Sequence, residues 1–123
     1  MKIAIASDDG QTVSQHFGRA PYYVVVTIEN GKVINREQRD KATHMHAAGE
    51  PHHQNAGGPD HHAMMAGAIR DCALVLARGM GRPAYLSMQA AGIRPMVTDI
   101  ADIDATVAAY LAGNIVDHTE RLH

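Results

Sequence analysis

Histidine, a common ligand for transition metals at neutral pH, is concentrated in one short stretch of this 123-residue chain. The stretch reads THMHAAGEPHHQNAGGPDHH from Thr43 and contains His44, His46, His52, His53, His61 and His62, six of the nine histidines. Its spacing matches neither a zinc site of cysteines and histidines nor an H-E-x-x-H helix. The residues therefore leave open a divalent-metal site for zinc, nickel or copper and a solvated loop.

Glycine and proline interrupt the same stretch, at Gly49, Pro51, Gly57, Gly58 and Pro59. Ordering such a loop costs roughly 1 to 2 kcal/mol of backbone entropy per residue. Three or four imidazoles closing on one divalent ion can offset much of that cost. We expect a flexible histidine-rich loop at about residues 41–60.

A further candidate ligand lies in an early loop, which reads Ser14-Gln15-His16-Phe17-Gly18. The imidazole of His16 can bind a transition metal, and burial of Phe17, the only phenylalanine, can anchor the loop. A lone histidine beside an aromatic ring is also commonly a hydrogen-bonded structural residue. The residues alone leave both interpretations open.

The segment Arg78-Gly79-Met80-Gly81-Arg82-Pro83 has the features of an anion site. Its glycines permit positive φ and close approach of a ligand to the backbone, and the helix predicted to follow presents unpaired N–H groups. Two arginines add positive charge. The segment matches neither a phosphate-binding loop nor the dinucleotide glycine pattern, so an ordinary strand-to-helix turn is the alternative.

Other reactive residue types are sparse. A single cysteine, Cys72, excludes a cluster held by four cysteines of this chain, and we expect it in the core about 20 Å below the arginine-glycine turn. Met80 and Met88 can offer thioethers to copper(I), but packing is their commoner role. Asp8 and Asp9 follow the first predicted strand instead of lying in it, so the carboxylates do not have the arrangement of a metal-dependent nuclease.

Composition limits the class of protein. The length suits one domain, residues 1–123, with a single core; 46% of the residues are hydrophobic and the formal net charge is −2. Neither a basic run nor stacking aromatics indicates nucleic-acid binding. The apolar start is too short for a secretory signal, and nowhere do about 18 apolar residues run together. We expect a cytoplasmic protein with no nucleic-acid or membrane partner.

Sequence periodicity predicts the elements that position these residues. Strands are predicted at 1–7, 22–28, 32–34, 73–77 and 95–98, and Asn30-Gly31 indicates a hairpin. Helices are predicted after Asp60, between Pro83 and Gly92, and after Asp102. The last helix has an apolar stripe of Ile103, Val107, Tyr110 and Leu111. The order βββαβαβα is that of an α/β protein.

Strand directions predict which loops meet. If the fourth strand is parallel to the first, four of the five strands end at one edge of the sheet. The loops 7–20, 41–60, 78–83 and 98–101 then share a rim, and the carboxyl ends of strands in open α/β sheets are where ligands bind.

Motifs along nearly the whole chain resemble those of one family. They are SQHFGRA at 14–20, DC at 71–72, RGMG at 78–81, AY at 84–85, AGI at 91–93, VTD at 97–99 and YLAG at 110–113. They are similar to the dinitrogenase iron-molybdenum cofactor biosynthesis family, which includes NifX, the C-terminal part of NifB and the nitrogenase accessory factor. The histidine-rich segment is longer and richer in imidazole than the family pattern.

The resemblance implies a ribonuclease H-like three-layer α/β/α fold with a mixed five-stranded sheet that has one antiparallel strand. It implies a non-enzymatic binding, carrier or storage role for an iron-molybdenum-sulfur or iron-sulfur cluster, in biosynthesis linked to nitrogen fixation. Partners would be metallocofactor assembly proteins or an apo-enzyme recipient, with the chain a monomer or weak homo-oligomer. The cluster-binding residues expected from the turn and the early loop are His16, Phe17, Gly18, Arg78, Gly79, Met80, Gly81 and Arg82. A divalent-metal binding or sensing module that uses the histidine-rich loop is the alternative.

Overall fold

A computed structural model describes residues 1–40 and 66–122. Its strands are β1 (Lys2–Ser7), β2 (Tyr22–Glu29), β3 (Lys32–Asp40), β4 (Leu74–Ala77) and β5 (Arg94–Val97). Its helices are α1 (Arg82–Ala90) and α2 (Ile103–Leu111), with short 3-10 helices at Phe17–Arg19 and Thr119–Arg121.

The five strands form one mixed sheet in the order β3-β2-β1-β4-β5. β2 pairs antiparallel with both β1 and β3, whereas β4 pairs parallel with β1 and with β5. The prediction of a mixed five-stranded sheet with one antiparallel strand is confirmed, as is the parallel pairing of the first and fourth strands. The helix predicted after Asp60 begins outside the described residues.

The hairpin between β2 and β3 turns where the sequence predicts it. Asn30 and Gly31 have φ angles of 54° and 75°, the left-handed region that an Asn-Gly hairpin turn requires. β3 continues to Asp40, however, well past the predicted end at residue 34. The polar residues of this part of β3 do not have the apolar pattern by which a strand is predicted. β3 can be polar because it lies at the edge of the sheet, where pairing with β2 stabilises it, whereas burial stabilises the central strands.

Helices cover both faces of the sheet. On one face, Ala84 and Met88 of α1 pack with Val75 and Ala77 of β4. On the other face, Ile103 and Val107 of α2 pack with the strand side chains that point away from α1, such as Ile3, Ile5 and Leu76. β4 is buried along its whole length, as its apolar run predicts.

The cap of α2 is confirmed, but its apolar stripe is only partly buried. Asp102 accepts a hydrogen bond at 2.8 Å from the Ala105 amide. Tyr110 is half-buried and Leu111 is 37% exposed, because these residues lie at the end of the helix where it leaves the sheet. The apolar stripe is therefore buried at Ile103 and Val107 but not at Leu111.

Candidate functional site

The loop that follows β1 is held in shape by its own side chains. The Asp9 carboxylate accepts hydrogen bonds from the amides of Gln11 and Thr12, at 2.9 and 2.8 Å. These amides, with the Thr12 hydroxyl, lower the pKa of Asp9 to about 2. Gly10 has a φ of +83°, which the reversal of the chain requires. The loop therefore folds locally, without help from a ligand.

The same loop then joins the turn after β4. The Ser14 amide donates to the Ala6 carbonyl at 2.8 Å, and the Ser14 carbonyl accepts from the Arg78 amide at 2.8 Å. The Phe17 amide donates to the Gly79 carbonyl at 3.0 Å. The loop carrying His16 and the arginine-glycine turn thus lie side by side, as the strand directions predict.

The third loop of the rim contacts the first. The Val13 amide donates to the Ala101 carbonyl at 2.7 Å, and the Ile103 amide donates to the Gln11 carbonyl at 3.1 Å. Three of the four loops predicted to share a rim are therefore adjacent at the carboxyl ends of β1, β4 and β5. The fourth, which contains His44, His46, His52, His53, His61 and His62, lies outside the described residues.

Phe17 anchors the first loop beside the sheet. Its side chain is 1% exposed, and its ring centroid lies 6.1 Å from that of buried Tyr23. His16 and Gly18, on either side, are exposed. The amide of His16 donates to the Ser14 hydroxyl at 3.1 Å, which fixes the backbone from which the imidazole projects. Burial of one residue thus presents its two neighbours at the rim.

The turn after β4 places its residues unequally. Gly79 is buried and Met80 is 1% exposed, packed in the core with Met88 of α1. Gly81 forms the N-cap of α1 with a φ of −75°, so the positive φ that its type permits is not used there. Met80 was expected among the cluster-binding residues. Its thioether lies instead in the core, in the same apolar cluster as Ala84 of α1.

The two arginines of the turn have different surroundings. Arg82 is exposed at the start of α1. Arg78 is half-buried, and no described residue accepts a hydrogen bond from its buried Nε. Such a donor costs about 1–3 kcal/mol where nothing accepts from it. Gly81, the N-cap of α1, also has no side chain that could accept hydrogen bonds from the amides of the first helical turn. Donors and positive charge therefore converge at this end of the sheet.

The single cysteine is placed as predicted, away from the rim. Cys72 precedes β4, is 4% exposed and has no disulfide partner. Burial, with the nearby Asp71 carboxylate, raises the pKa of its thiol to about 12. It is therefore protonated at neutral pH and a poor metal ligand in this conformation.

Sequence reasoning missed one histidine at the rim. His118 follows α2, and its imidazole Nε2 lies 3.6 Å from Asp99, while Nδ1 lies 2.9 Å from Glu120. Nothing in the sequence signals this position, because residues 112–118 have no strand or helix pattern that places them. Within residues 1–40 and 66–122, no group of three or more His, Cys, Asp or Glu side chains has the geometry of a metal site.

Comparison with known proteins agrees with this fold. The chain is 26% identical over 119 residues to the protein MJ0580 of Methanocaldococcus jannaschii, covering 94% of this chain and 89% of that one. The crystal structure of PH0822 superposes with a TM-score of 0.74 at 25% identity, covering 98% of each chain. The apo form of the orange protein from Desulfovibrio gigas superposes with a TM-score of 0.69 at 21% identity, covering 96% of this chain and 92% of that one.

One family model spans most of the chain. The model described as "Dinitrogenase iron-molybdenum cofactor" matches residues 1–113, which include the early loop, the arginine-glycine turn and all five strands. The resemblance seen in the motifs is confirmed: this protein belongs to the dinitrogenase iron-molybdenum cofactor family.

Proposed function

We propose that this protein is a non-enzymatic carrier that holds an iron-molybdenum-sulfur or iron-sulfur cluster as cargo at the rim. The cargo would lie against the loop 14–18 and the turn 78–82, in the service of metallocofactor assembly. Cytoplasmic location and hand-over to an assembly protein or apo-enzyme belong to the same proposal, as does the ribonuclease H-like assignment of the fold. Membership of the family supports the class of cargo.

The observation that carries the proposal is the unpartnered Nε of Arg78. Metal-sulfur clusters are anionic, and a guanidinium donates charge-assisted hydrogen bonds to anions. Arg82 and the start of α1 add positive charge and N–H donors on the same side. An anion bound there satisfies a donor that the described protein residues leave unsatisfied.

The side chains available for direct ligation also fit a preassembled cluster. Met80 in the turn and Cys72 at the far end of β4, which carry soft sulfur atoms, are both buried in the core. Of the described residues, exposed His16 lies close to the turn, since its neighbour Phe17 hydrogen-bonds to Gly79. A cluster that arrives with its sulfides needs few protein ligands, whereas a bare metal ion needs several.

Catalysis has little support at this rim. The Asp9 carboxylate is engaged by the amides of its own loop, so it is not available as a metal ligand without breaking that loop. Binding and release, and not turnover, are therefore the activity we assign.

No helix in the described part of the chain is long and apolar enough to cross a membrane.

Anaerobic reconstitution tests the proposal. The full chain is incubated with ferrous iron, sulfide and molybdate under a thiol reductant, desalted, and assayed for bound iron, molybdenum and acid-labile sulfide. We expect iron and sulfide to bind together, and Arg78→Met to lower their retention by about tenfold or more, because one charge-assisted hydrogen bond is worth roughly 1.5–3 kcal/mol.

Arg94→Met is the matched control, since Arg94 is exposed at the amino end of β5, away from the rim. It should bind as the wild type does. Metal bound without sulfide would contradict the carrier assignment and favour the divalent-metal alternative. Retention unchanged in His16→Ala would remove His16 as a ligand without affecting the role of the turn.

A further inference from the structure

The C-terminal segment, residues 114–122, lies across the edge of the sheet at the carboxyl end of β5. The amide of Val97, the last residue of β5, donates to the Asp117 carboxylate at 2.9 Å, and the Val97 carbonyl accepts from the His118 amide at 2.7 Å. Because β5 is an edge strand, these bonds satisfy groups that no neighbouring strand satisfies at that point. The segment follows the part of the chain that the family model matches.

The same segment also reaches the turn after β4. Leu122 forms a parallel bridge with Met80 and packs against the apolar cluster to which Met80 belongs. Residues 114–122 therefore touch both β5 and the residue between Gly79 and Gly81. If the segment moved away from the sheet, the turn would lose its contact with Leu122 and keep only its hydrogen bonds to the loop 14–18 on its other side.

His118 secures the middle of the segment. Its ring lies between two carboxylates, one on the loop after β5 and one on the segment itself: Asp99 at 3.6 Å and Glu120 at 2.9 Å. The side chain of His118 is 24% exposed, which places the ring partly inside the protein. The segment is thus attached at three places, through Asp117, His118 and Leu122.

From these contacts we infer that residues 114–122 form a strap that positions the turn 79–81 and so slows release of the cargo from the rim. The effect on cargo rests on the proposed function, whereas the effect on the turn does not. Asp117 is a positioning residue in this scheme: it acts on the turn by holding the strap against β5.

The test compares Asp117→Ala with Asp117→Asn. Alanine leaves the amide of fully buried Val97 without its acceptor, while asparagine keeps an oxygen in the same place. Hydrogen exchange of the turn 79–81 should accelerate about tenfold in the alanine variant and stay near the wild-type rate in the asparagine variant.

Release of iron and sulfide from reconstituted full-length protein is the second readout. Loss to a chelator should be about tenfold faster in Asp117→Ala and restored in Asp117→Asn. Unchanged exchange at the turn in Asp117→Ala would overturn the strap. Faster exchange with unchanged release would overturn its effect on cargo. If the wild type binds neither iron nor sulfide, the proposed function fails, and exchange alone still decides whether the strap positions the turn.

Discussion

Two arginines of this protein, Arg39 and Arg78, are both partly buried but have opposite surroundings. Arg39 of β3 donates to both oxygens of Asp71 at 2.8 and 2.9 Å, to Glu37 at 2.9 Å and to the Ala68 carbonyl at 3.1 Å. Among the described residues, nothing accepts a hydrogen bond from the buried Nε of Arg78. The first guanidinium ties the segment before β4 to the sheet edge, whereas the second has a donor that no described residue satisfies. We propose that the difference separates a charge that stabilises the fold from one that serves a site.

The largest effect on stability is expected at Arg39. Arg39→Met should lower the free energy of unfolding by about 1–2 kcal/mol, because the variant loses a bidentate ion pair that is only partly exposed and leaves Asp71 with the single ion pair to Lys2. Urea unfolding followed by circular dichroism measures the change. Arg36→Met is the control: Arg36 also lies on β3 and pairs with Asp104, but that pair is more exposed and should contribute less than about 1 kcal/mol. Equal losses would mean that the Arg39 cluster is an ordinary surface pair.

Acid should weaken the same cluster. The Arg39 guanidinium holds the pKa of Asp71 well below its usual range. A carboxylate with a lowered pKa in the folded state stabilises the protein fully above its unfolded pKa, near 4, and loses that contribution as the pH falls further. Unfolding measured from pH 7 to pH 3 should show a decline that is smaller in Asp71→Asn.

Asp9 contributes to the same decline, since its pKa is lowered to about 2 by the amides of its loop. Asp71→Asn therefore should reduce the decline without abolishing it, and Asp9→Asn should reduce it separately. A decline of unchanged size in Asp71→Asn would show that the Arg39 pairing does not depend on the charge of Asp71.

The smallest effect on stability is expected at Arg78. Arg78→Met should change the free energy of unfolding by less than about 0.5 kcal/mol, or raise it, since the replacement removes a buried donor that has no acceptor in residues 1–40 and 66–122. Thermal unfolding of the cluster-free protein provides the measurement. A loss as large as that of Arg39→Met would mean that Arg78 stabilises the fold, and the contrast between the two arginines would disappear.

Much of the sheet could be predicted because its central strands carry the strongest local signals. The apolar run of β4 and the Asn-Gly turn each depend on neighbouring residues only, and both were located correctly. β3 was predicted six residues too short, because an edge strand of mostly polar and charged residues gains its stability from pairing and not from burial. Periodicity does not detect that contribution.

The site was only partly predictable. The meeting of the loop 14–18 with the turn 78–82 followed from strand directions, and the family resemblance from the motifs along the chain. The bridge between Met80 and Leu122 and the position of His118 did not follow, because each depends on contacts between segments far apart in the chain. Which of the predicted residues bind cargo stays a prediction, as does the role of the histidine-rich stretch.

The sequence by itself determined the mixed sheet, the cap of α2, the burial of Cys72 and the convergence of loops at one rim, since these depend on apolar periodicity, turn chemistry and strand direction. Only the tertiary structure decided that Arg39 is paired and that no described residue accepts from the Nε of Arg78. It also decided that residues 114–122 reach both β5 and Met80. Which side chains pair depends on their distance in the folded protein. Residues 39 and 71, and residues 80 and 122, come together only when the sheet has formed.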